Sequence, residues 1–479
     1  MKKVWLVVAL TALGGLSSKT FADVQNIRLS GDIRIRGYFL DSTGADTSSG
    51  TPYTLAKGND SIISQRTRVS VEADLEDHVL VVVTLQAEGE WGADNTVSGS
   101  TGAGTGGSSS ASDSAGKLSR MWGVGIAEAY VQFNEVFYTP ATLKLGRQFL
   151  QYGRGLILSS VEQEYNYDAA RLVLDYYPLT IDVVGAEVVN TQSFGGTPNK
   201  SVGGATGAND LLFVNARYEL SDSAIKDVEA YLGWLSQSQN NLLSESRVPP
   251  ATVGSSPIIV GLRADINPVD ALQTWWEAAY EFGANGQSGG LGIGDSAGGS
   301  IGAFLLNAGG KYTFKDVQWV PVLNGNFIYA SGGGKGTDTG AGNAQFRPWF
   351  DYADGYNGYL FMPALSDIAI FNLGASVKPY ENTTLALQAY YYMKADKEGV
   401  AGSNGNVDWG GPAWATPAPG STGPDAYLGW ELDGILGYDY SKDVRAQLVY
   451  GVFLPGTAYE NVGVTRAAEE VRAELNVKF

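Results

Sequence analysis

The chain alternates apolar and polar residues with a period of two along most of its length. In 27–39, Ile27, Leu29, Ile33, Ile35 and Phe39 share one face, while Arg28, Ser30, Asp32, Arg34, Arg36 and Tyr38 share the other. Segment 63–75 repeats the scheme: Ile63, Thr67, Val69, Val71, Ala73 and Leu75 oppose Arg66, Arg68, Ser70, Glu72 and Asp74. At the far end Val471, Ala473, Leu475, Val477 and Phe479 oppose Arg472, Glu474, Asn476 and Lys478. Successive side chains of a β-strand point to opposite faces, so each segment reads as a strand with one apolar and one charged face. The same count predicts eighteen strands, near 27–39, 62–75, 79–91, 120–134, 141–149, 168–177, 179–189, 210–220 and 227–238 in the first half. In the second half they fall near 256–266, 271–284, 301–315, 319–331, 367–379, 383–394, 427–440, 443–455 and 467–479. Most reach the length of about 10 residues that a tilted strand needs to cross a membrane.

The connections sort by parity. Tight turns fall at Glu76–His78, Pro178, Asn267–Asp270, Tyr380–Asn382 and Ser441–Asp443. Between them lie long links rich in Gly, Ser, Asn and Asp, the clearest being 92–119, 190–209, 331–366 and 395–426. A β-sandwich has no reason to alternate short and long loops, whereas a transmembrane barrel has short periplasmic turns and longer extracellular loops. Aromatic placement gives a second line of argument. Even strands carry apolar-face rings near their ends (Phe133, Tyr176, Tyr218, Phe314, Tyr438, Tyr440, Phe479), and so do odd strands (Phe39, Trp91, Trp234, Phe282, Tyr329, Tyr391). In an up-and-down barrel these sets form two belts, one at each bilayer interface. The expected fold is an all-β transmembrane antiparallel β-barrel of about 18 strands, with short periplasmic turns and long extracellular loops.

Composition narrows the chemistry. The 479 residues include no Cys and one His, which excludes thiolate chemistry and leaves a His-based triad or multi-His metal site without material. Charged residues make up 17% of the chain, below the roughly 25% of soluble domains. The formal charge of −18 argues against nucleic acid as a partner. Residues 1–22 read as a secretory signal peptide: Lys2 and Lys3, an apolar run from Val4 to Leu16, and the small-residue site Thr20-Phe21-Ala22. Residues 23–479 are then a single outer-membrane barrel, released by cleavage near Ala22. No cofactor, metal site or catalytic residue is expected.

With lipid on the apolar face, the charged face must line the lumen, and a barrel of this size leaves an aqueous channel. Side-chain charge at a constriction decides which ions pass. The candidate pore-lining residues are Arg28, Arg34, Arg36, Arg66, Arg68, Glu72, Lys144, Arg147, Arg171, Asp175, Arg217 and Arg263. Five of these arginines fall on the first two strands, with Asp32, Glu72 and Asp74 beside them. The alternative for each is a mixed-charge wall that hydrates the lumen and pairs across strands.

The segment Leu145–Ser160, LGRQFLQYGRGLILSS, departs from simple alternation. Parity sends Arg147 toward lipid, which requires a break at Gly146 or a position above the hydrocarbon. Gly153 and Gly155 flank Arg154 and permit a turn that folds its guanidinium inward; the alternative is an outer loop capped by Glu162 or Glu164. Asp351–Gly358, DYADGYNG, offers loop oxygens for Ca²⁺ but misses the EF-hand spacing.

The runs Ser64–Leu75 (SQRTRVSVEADL), Leu85–Gly92 (LQAEGEWG), LGRQFLQYGRGLILSS and Tyr167–Tyr176 (YDAARLVLDY) resemble the alginate-export family of outer-membrane porins. The similarity is densest over 27–190. It implies a monomeric eighteen-stranded barrel with an arginine-rich constriction lined by Arg28, Arg34, Arg66, Arg68, Arg147 and Arg171, and in the best-known branch the export of acidic polysaccharide. The alginate exporters carry a long periplasmic gating loop, whereas every periplasmic turn here is short. The expected function is passive passage of small anionic or saccharide solutes through the bacterial outer membrane, with acidic polysaccharide as a second cargo. The opposing reading is an adhesin whose loops 92–119, 331–366 and 395–426 bind partners and occlude the lumen.

Overall fold

The computed structural model describes residues 26–41, 60–75, 78–91, 124–160, 166–190, 208–220, 224–236, 256–284, 300–332, 344–346, 349, 357–361, 363, 365–396, 425–460 and 466–479. The signal-peptide reading of 1–22 and the greater part of the long loops lie outside these residues. The first nine strands are β1 (Asn26–Asp41), β2 (Asp60–Asp74), β3 (Val79–Glu90), β4 (Val124–Phe133), β5 (Ala141–Gln148), β6 (Tyr167–Tyr176), β7 (Leu179–Asn190), β8 (Ala208–Glu219) and β9 (Ile225–Ser236). The second nine are β10 (Ser256–Val269), β11 (Leu272–Ala284), β12 (Ser300–Thr313), β13 (Val322–Ala330), β14 (Ile368–Tyr380), β15 (Thr383–Met393), β16 (Tyr427–Asp439), β17 (Val444–Pro455) and β18 (Ala468–Lys478). The boundaries follow the alternation closely; the predicted strand at 319–331 begins late because Trp319 and Val320 take positive φ in the preceding turn.

Every strand pairs antiparallel with its sequence neighbours, and β18 pairs with β1 from Asp32↔Lys478 to Asp41↔Glu469. The seam continues into the terminus, where the Phe479 N–H donates to the Gly31 carbonyl at 3.0 Å and its carbonyl accepts from the Gly31 N–H at 2.9 Å. Closure removes sheet edges, so the strands satisfy their backbone groups within the ring, as a hydrocarbon environment demands.

One parity of each strand carries large exposed apolar side chains, among them Leu29, Val71, Leu85, Leu373 and Leu387. This is the outer face. At the short-turn rim Tyr176, Tyr218, Tyr438, Tyr440 and Phe479 are exposed; Phe39, Trp91 and Trp234 are exposed toward the long-loop rim. The other parity faces inward and is touched by loop residues from distant strands, which identifies it as the lumen.

The packed core therefore lies inside the barrel. Leu150, Tyr152, Leu156, Ile157 and Leu158 follow β5, and Phe346, Trp349, Leu360 and Phe361 follow β13. They form one buried cluster with wall residues such as Phe213, Leu235, Ile259, Leu305, Ile328 and Phe453. A soluble β-protein would bury its apolar strand faces against a second sheet; here lipid takes the outer face and two loops take part of the inner one.

Gly146 marks the point where β5 departs from regular strand geometry. Its φ is +124°, and a Cβ there would sit 2.2 Å from the Ala129 carbonyl oxygen on β4. Gly146→Ala is expected to destabilise the barrel by roughly 1–3 kcal/mol, because the backbone conformation and a fixed carbonyl both oppose it. The check is a lowered guanidinium midpoint for loss of the compact, heat-modifiable band on gels.

Candidate functional site

The lumen wall of β1–β3 and β18 is a lattice of arginines and carboxylates. Arg28 bonds Glu72 at 3.0 Å and lies 3.4 Å from Asp74. Arg68 donates through Nε to Asp32 at 2.6 Å, and Arg66 reaches the same carboxylate at 3.4 Å. Arg36 pairs with Glu474 across the closing seam, and Arg34 lies 3.8 Å from Glu88. The register places Arg34 directly opposite Arg66, and both are buried in the wall. On β5 and β6, Lys144 is opposite Arg171 in the same way. Like charges placed opposite one another destabilise a sheet, and here the opposed cations are met by carboxylates, Arg66 by Asp32, Arg34 by Glu88 and Arg171 by Asp182. Lys144 sits 3.5 Å from the centroid of the Tyr130 ring, which gives the ammonium an attractive partner.

Around the ring the balance turns acidic. Arg171 donates through Nε to Asp182 at 2.8 Å. Arg217 bonds Asp227 at 3.1 Å, and Arg263 bonds Glu229 at 2.7 Å while contacting Asp227 and Asp265. Asp175 sits near the short-turn rim and accepts from Thr180 at 3.3 Å. Among the named candidates Arg28, Arg34, Arg36, Arg66, Arg68, Glu72, Lys144, Arg171, Asp175, Arg217 and Arg263 all occupy the inward parity.

Arg147 does not. It shares parity with exposed Leu145 and forms a two-pronged pair with Asp168 of β6, at 2.8 and 2.9 Å. Asp168 stands on the same outward parity as Tyr176. Gly146 bends the strand without switching the faces, and the paired carboxylate neutralises the guanidinium close to the long-loop end, where a charge on the lipid face costs less. Its expected pore-lining place is corrected accordingly.

The loop after β5 folds into the lumen. Gly153 and Gly155 take φ of +59° and +77°, the left-handed conformations its tight turn requires. The turn's N–H groups are held by wall carboxylates: Gly153 donates to Glu229 at 2.8 Å and Arg154 to Glu277 at 2.9 Å. The Arg154 guanidinium lies 3.6 Å from Asp265 and stacks 4.5 Å from the Trp275 ring. Of the two readings of Arg154 the inward one holds; Glu162 and Glu164 lie outside the described residues. Tyr152 stacks on Phe213 at 4.8 Å and donates to Asp182 at 2.8 Å. Burial pushes its phenol far up, so it stays a neutral donor.

The loop after β13 crosses the lumen higher up. Glu431 of β16, fully buried, accepts the backbone N–H groups of Tyr359, Leu360 and Phe361 at 2.6, 2.9 and 2.7 Å. The Tyr392 hydroxyl donates to the Asn357 carbonyl at 2.7 Å, and Arg472 of β18 donates to the Tyr359 carbonyl. Trp349 reaches the other side, donating to Glu281 of β11 at 3.2 Å. Three consecutive N–H groups converging on one carboxylate form a latch. Alternation along β11 and β16 puts Glu277, Glu281 and Glu431 on the inward face, but nothing local marks them as anchors, because an anchor is defined by loop atoms some seventy or more residues away. Of the suggested calcium segment only Asn357 and Gly358 are described; Asn357 Nδ2 donates to the Pro363 carbonyl at 2.9 Å. Among the described residues no group of three or more His, Cys, Asp or Glu side chains is placed to hold a metal ion.

Residues 43–473 match the family described as Alginate export. No curated protein is a significant match in sequence. The fold is similar to Pseudomonas aeruginosa OccK8 (OprE), with a TM-score of 0.54 and 12% identity over 96% of this chain and 99% of that one. It is also similar to P. aeruginosa OccK11 (OpdR), with a TM-score of 0.53 and 11% identity over 96% and 97%. At such identities the likeness speaks for the architecture alone. The match over most of the chain, together with the closed eighteen-stranded ring, means that this protein belongs to the alginate-export family of outer-membrane β-barrels.

Proposed function

We propose that this chain is a passive outer-membrane channel for small anionic or saccharide solutes, monomeric and exported by cleavage near Ala22. The observation that carries the anionic part is the in-register placement of cations on one side of the lumen, Arg34 opposite Arg66 and Lys144 opposite Arg171. Cations forced together in a wall present a local positive potential that neighbouring carboxylates reduce without abolishing, and within a Debye length of about 8 Å that potential acts on a passing anion. The two inward loops support small solutes over a long polysaccharide, since they fill part of the bore that a polymer chain would need.

The latch sets the bore. Replacing Glu431 by Gln exchanges one acceptor oxygen for an NH₂ that cannot accept, facing N–H groups that still need partners. The lost contacts should cost the docked loop about 3–5 kcal/mol, the usual penalty for breaking a buried hydrogen-bonded charge. Asp367, at the root of the same loop, accepts the Asp396 N–H at 2.8 Å, and burial pushes its carboxyl up to about 7. The folded chain thus holds this proton more tightly than the unfolded chain, whose value is the ordinary 3.8. The stability of the loop root falls as pH rises from there to about 7.

Three outcomes are expected. In a planar bilayer across a KCl gradient, the purified mature protein should prefer anions, and Arg34→Ala with Arg66→Ala should shift the reversal potential toward cation preference; a wild-type pore already selective for cations would give the carboxylates control instead. Glu431→Gln should raise single-channel conductance, and an unchanged conductance would mean the latch does not set the bore. Trypsin cutting at Lys335 or Arg347, normalised to an unstructured substrate, should be faster at pH 8 than at pH 6. Asp367→Asn should remove that difference, because Asn also tolerates the positive φ of 50° found there.

A further inference from the structure

The lumen wall of β12–β15 differs from the rest. At mid-height it presents side-chain amides in place of charges. Asn307 Nδ2 donates to Asn326 Oδ1 at 2.9 Å, and Trp275 Nε1 donates to the same oxygen at 3.0 Å. Further round, Asn324 Nδ2 donates to Asn372 Oδ1 and to Gln388 Oε1, both at 3.2 Å, while Asn372 Nδ2 donates to Gln388 Oε1 at 3.1 Å. The amides form a ladder across four strands, and at one end Trp275 joins it to Arg154 at the tip of the first inward loop.

Glycines lie beneath this ladder. Asn326 is in register with Gly309, and Asn324 and Gln388 flank Gly374 from either side. A Cβ at Gly309 would meet Asn326 Oδ1 at 2.5 Å; one at Gly374 would meet Gln388 Oε1 at 2.0 Å. The amides therefore lie flat along the wall instead of projecting into the bore. Gly374 lets Asn324 and Gln388 bond each other across β14, and the low profile that results leaves a smooth surface along which a solute can slide.

We infer that this amide ladder is a binding track for uncharged, hydroxyl-rich solutes, namely the neutral saccharide class, across the lumen from the cation-lined side. The inference rests on the channel reading and names a substrate class for it. An amide offers both a donor and an acceptor, and adjacent sugar hydroxyls offer the same pair, so the two exchange hydrogen bonds without a charge being desolvated. Asn326 spends its carbonyl on Trp275 and Asn307, and among the described residues its NH₂ has no protein partner. Hydrogen-bond donors and acceptors lining a pore are what set selectivity among neutral solutes of similar width.

The test uses the full mature chain and maltohexaose, an uncharged glucose oligomer. Two readouts are taken together: interruption of single-channel current by millimolar maltohexaose, and equilibrium dialysis of labelled maltohexaose against the detergent-solubilised barrel. Both are repeated on Asn326→Leu and on Gln388→Leu, which sit on different strands, with heat-modifiability on gels confirming that each variant folds. Wild type should show block and binding, and each folded variant should weaken both by about tenfold, the effect of losing one amide's contribution. Protein that conducts ions but neither binds nor is blocked by the oligomer overturns the track and leaves the channel reading standing. Protein that binds the oligomer in an Asn326-dependent way without conducting supports the track and overturns the channel reading. Binding that is unchanged in the folded variants overturns the track.

Discussion

In hydrocarbon no water is at hand to satisfy a backbone N–H or carbonyl, so a sheet in a bilayer has to close on itself. The pairing of β18 with β1, carried through to the terminal Phe479, meets that demand. Once the ring is closed, every strand has one face committed to lipid. Polar chemistry must then go inward, which concentrates the charges of eighteen strands on the wall of one bore. Each later feature of the molecule, including the arginine lattice, the docked loops and the amide ladder, is a way of managing that concentration of polar groups.

The wall manages it in two ways. Where acids and bases are interleaved, as from β1 to β3 and from β6 to β11, they pair across strands, and one carboxylate can hold two cations of the neighbouring strand. Asp32, for example, takes both Arg66 and Arg68. Where acids outnumber bases, backbone supplies the missing donors. Glu229, Glu277 and Glu431 each accept main-chain N–H groups from a loop that has folded in to meet them. A carboxylate holding backbone donors is a strong anchor because the interaction is charge-assisted and the donors are fixed in direction. The excess of acid in the composition is thus in part structural: it holds the loops.

The strands were legible in the sequence because a period of two is a local property, visible within ten residues and indifferent to what lies across the barrel. The alternation of short and long connections was legible for the same reason. Arg147 shows the limit of that reasoning. Parity alone assigned it outward, the resemblance to the family pulled it inward, and its partner Asp168 on the next strand decides the matter. The destination of the loops was harder still. Nothing in the composition of 331–366 marks Tyr359–Phe361 as the segment that meets Glu431, since the meeting depends on ring closure bringing β16 within reach. The amide ladder was hidden differently: asparagines and glycines scattered over 307–388 look like ordinary polar strand residues until the register sets Asn326 beside Gly309, and Asn324 and Gln388 on either side of Gly374.

The inward loops are also the inner packing of the barrel, and this limits how the protein can be altered. Widening the bore by removing both inward loops would leave wall residues such as Leu235, Ile259, Leu305 and Ile328, which share one buried cluster with those loops, facing water. Each such side chain contributes about 1.5–3 kcal/mol when buried. A trimmed version would be a barrel with a greasy interior, prone to bind detergent or collapse inward, instead of a wider clean pore. Engineering this scaffold as a nanopore therefore calls for repainting those inner positions with polar residues in the same step that removes the loops.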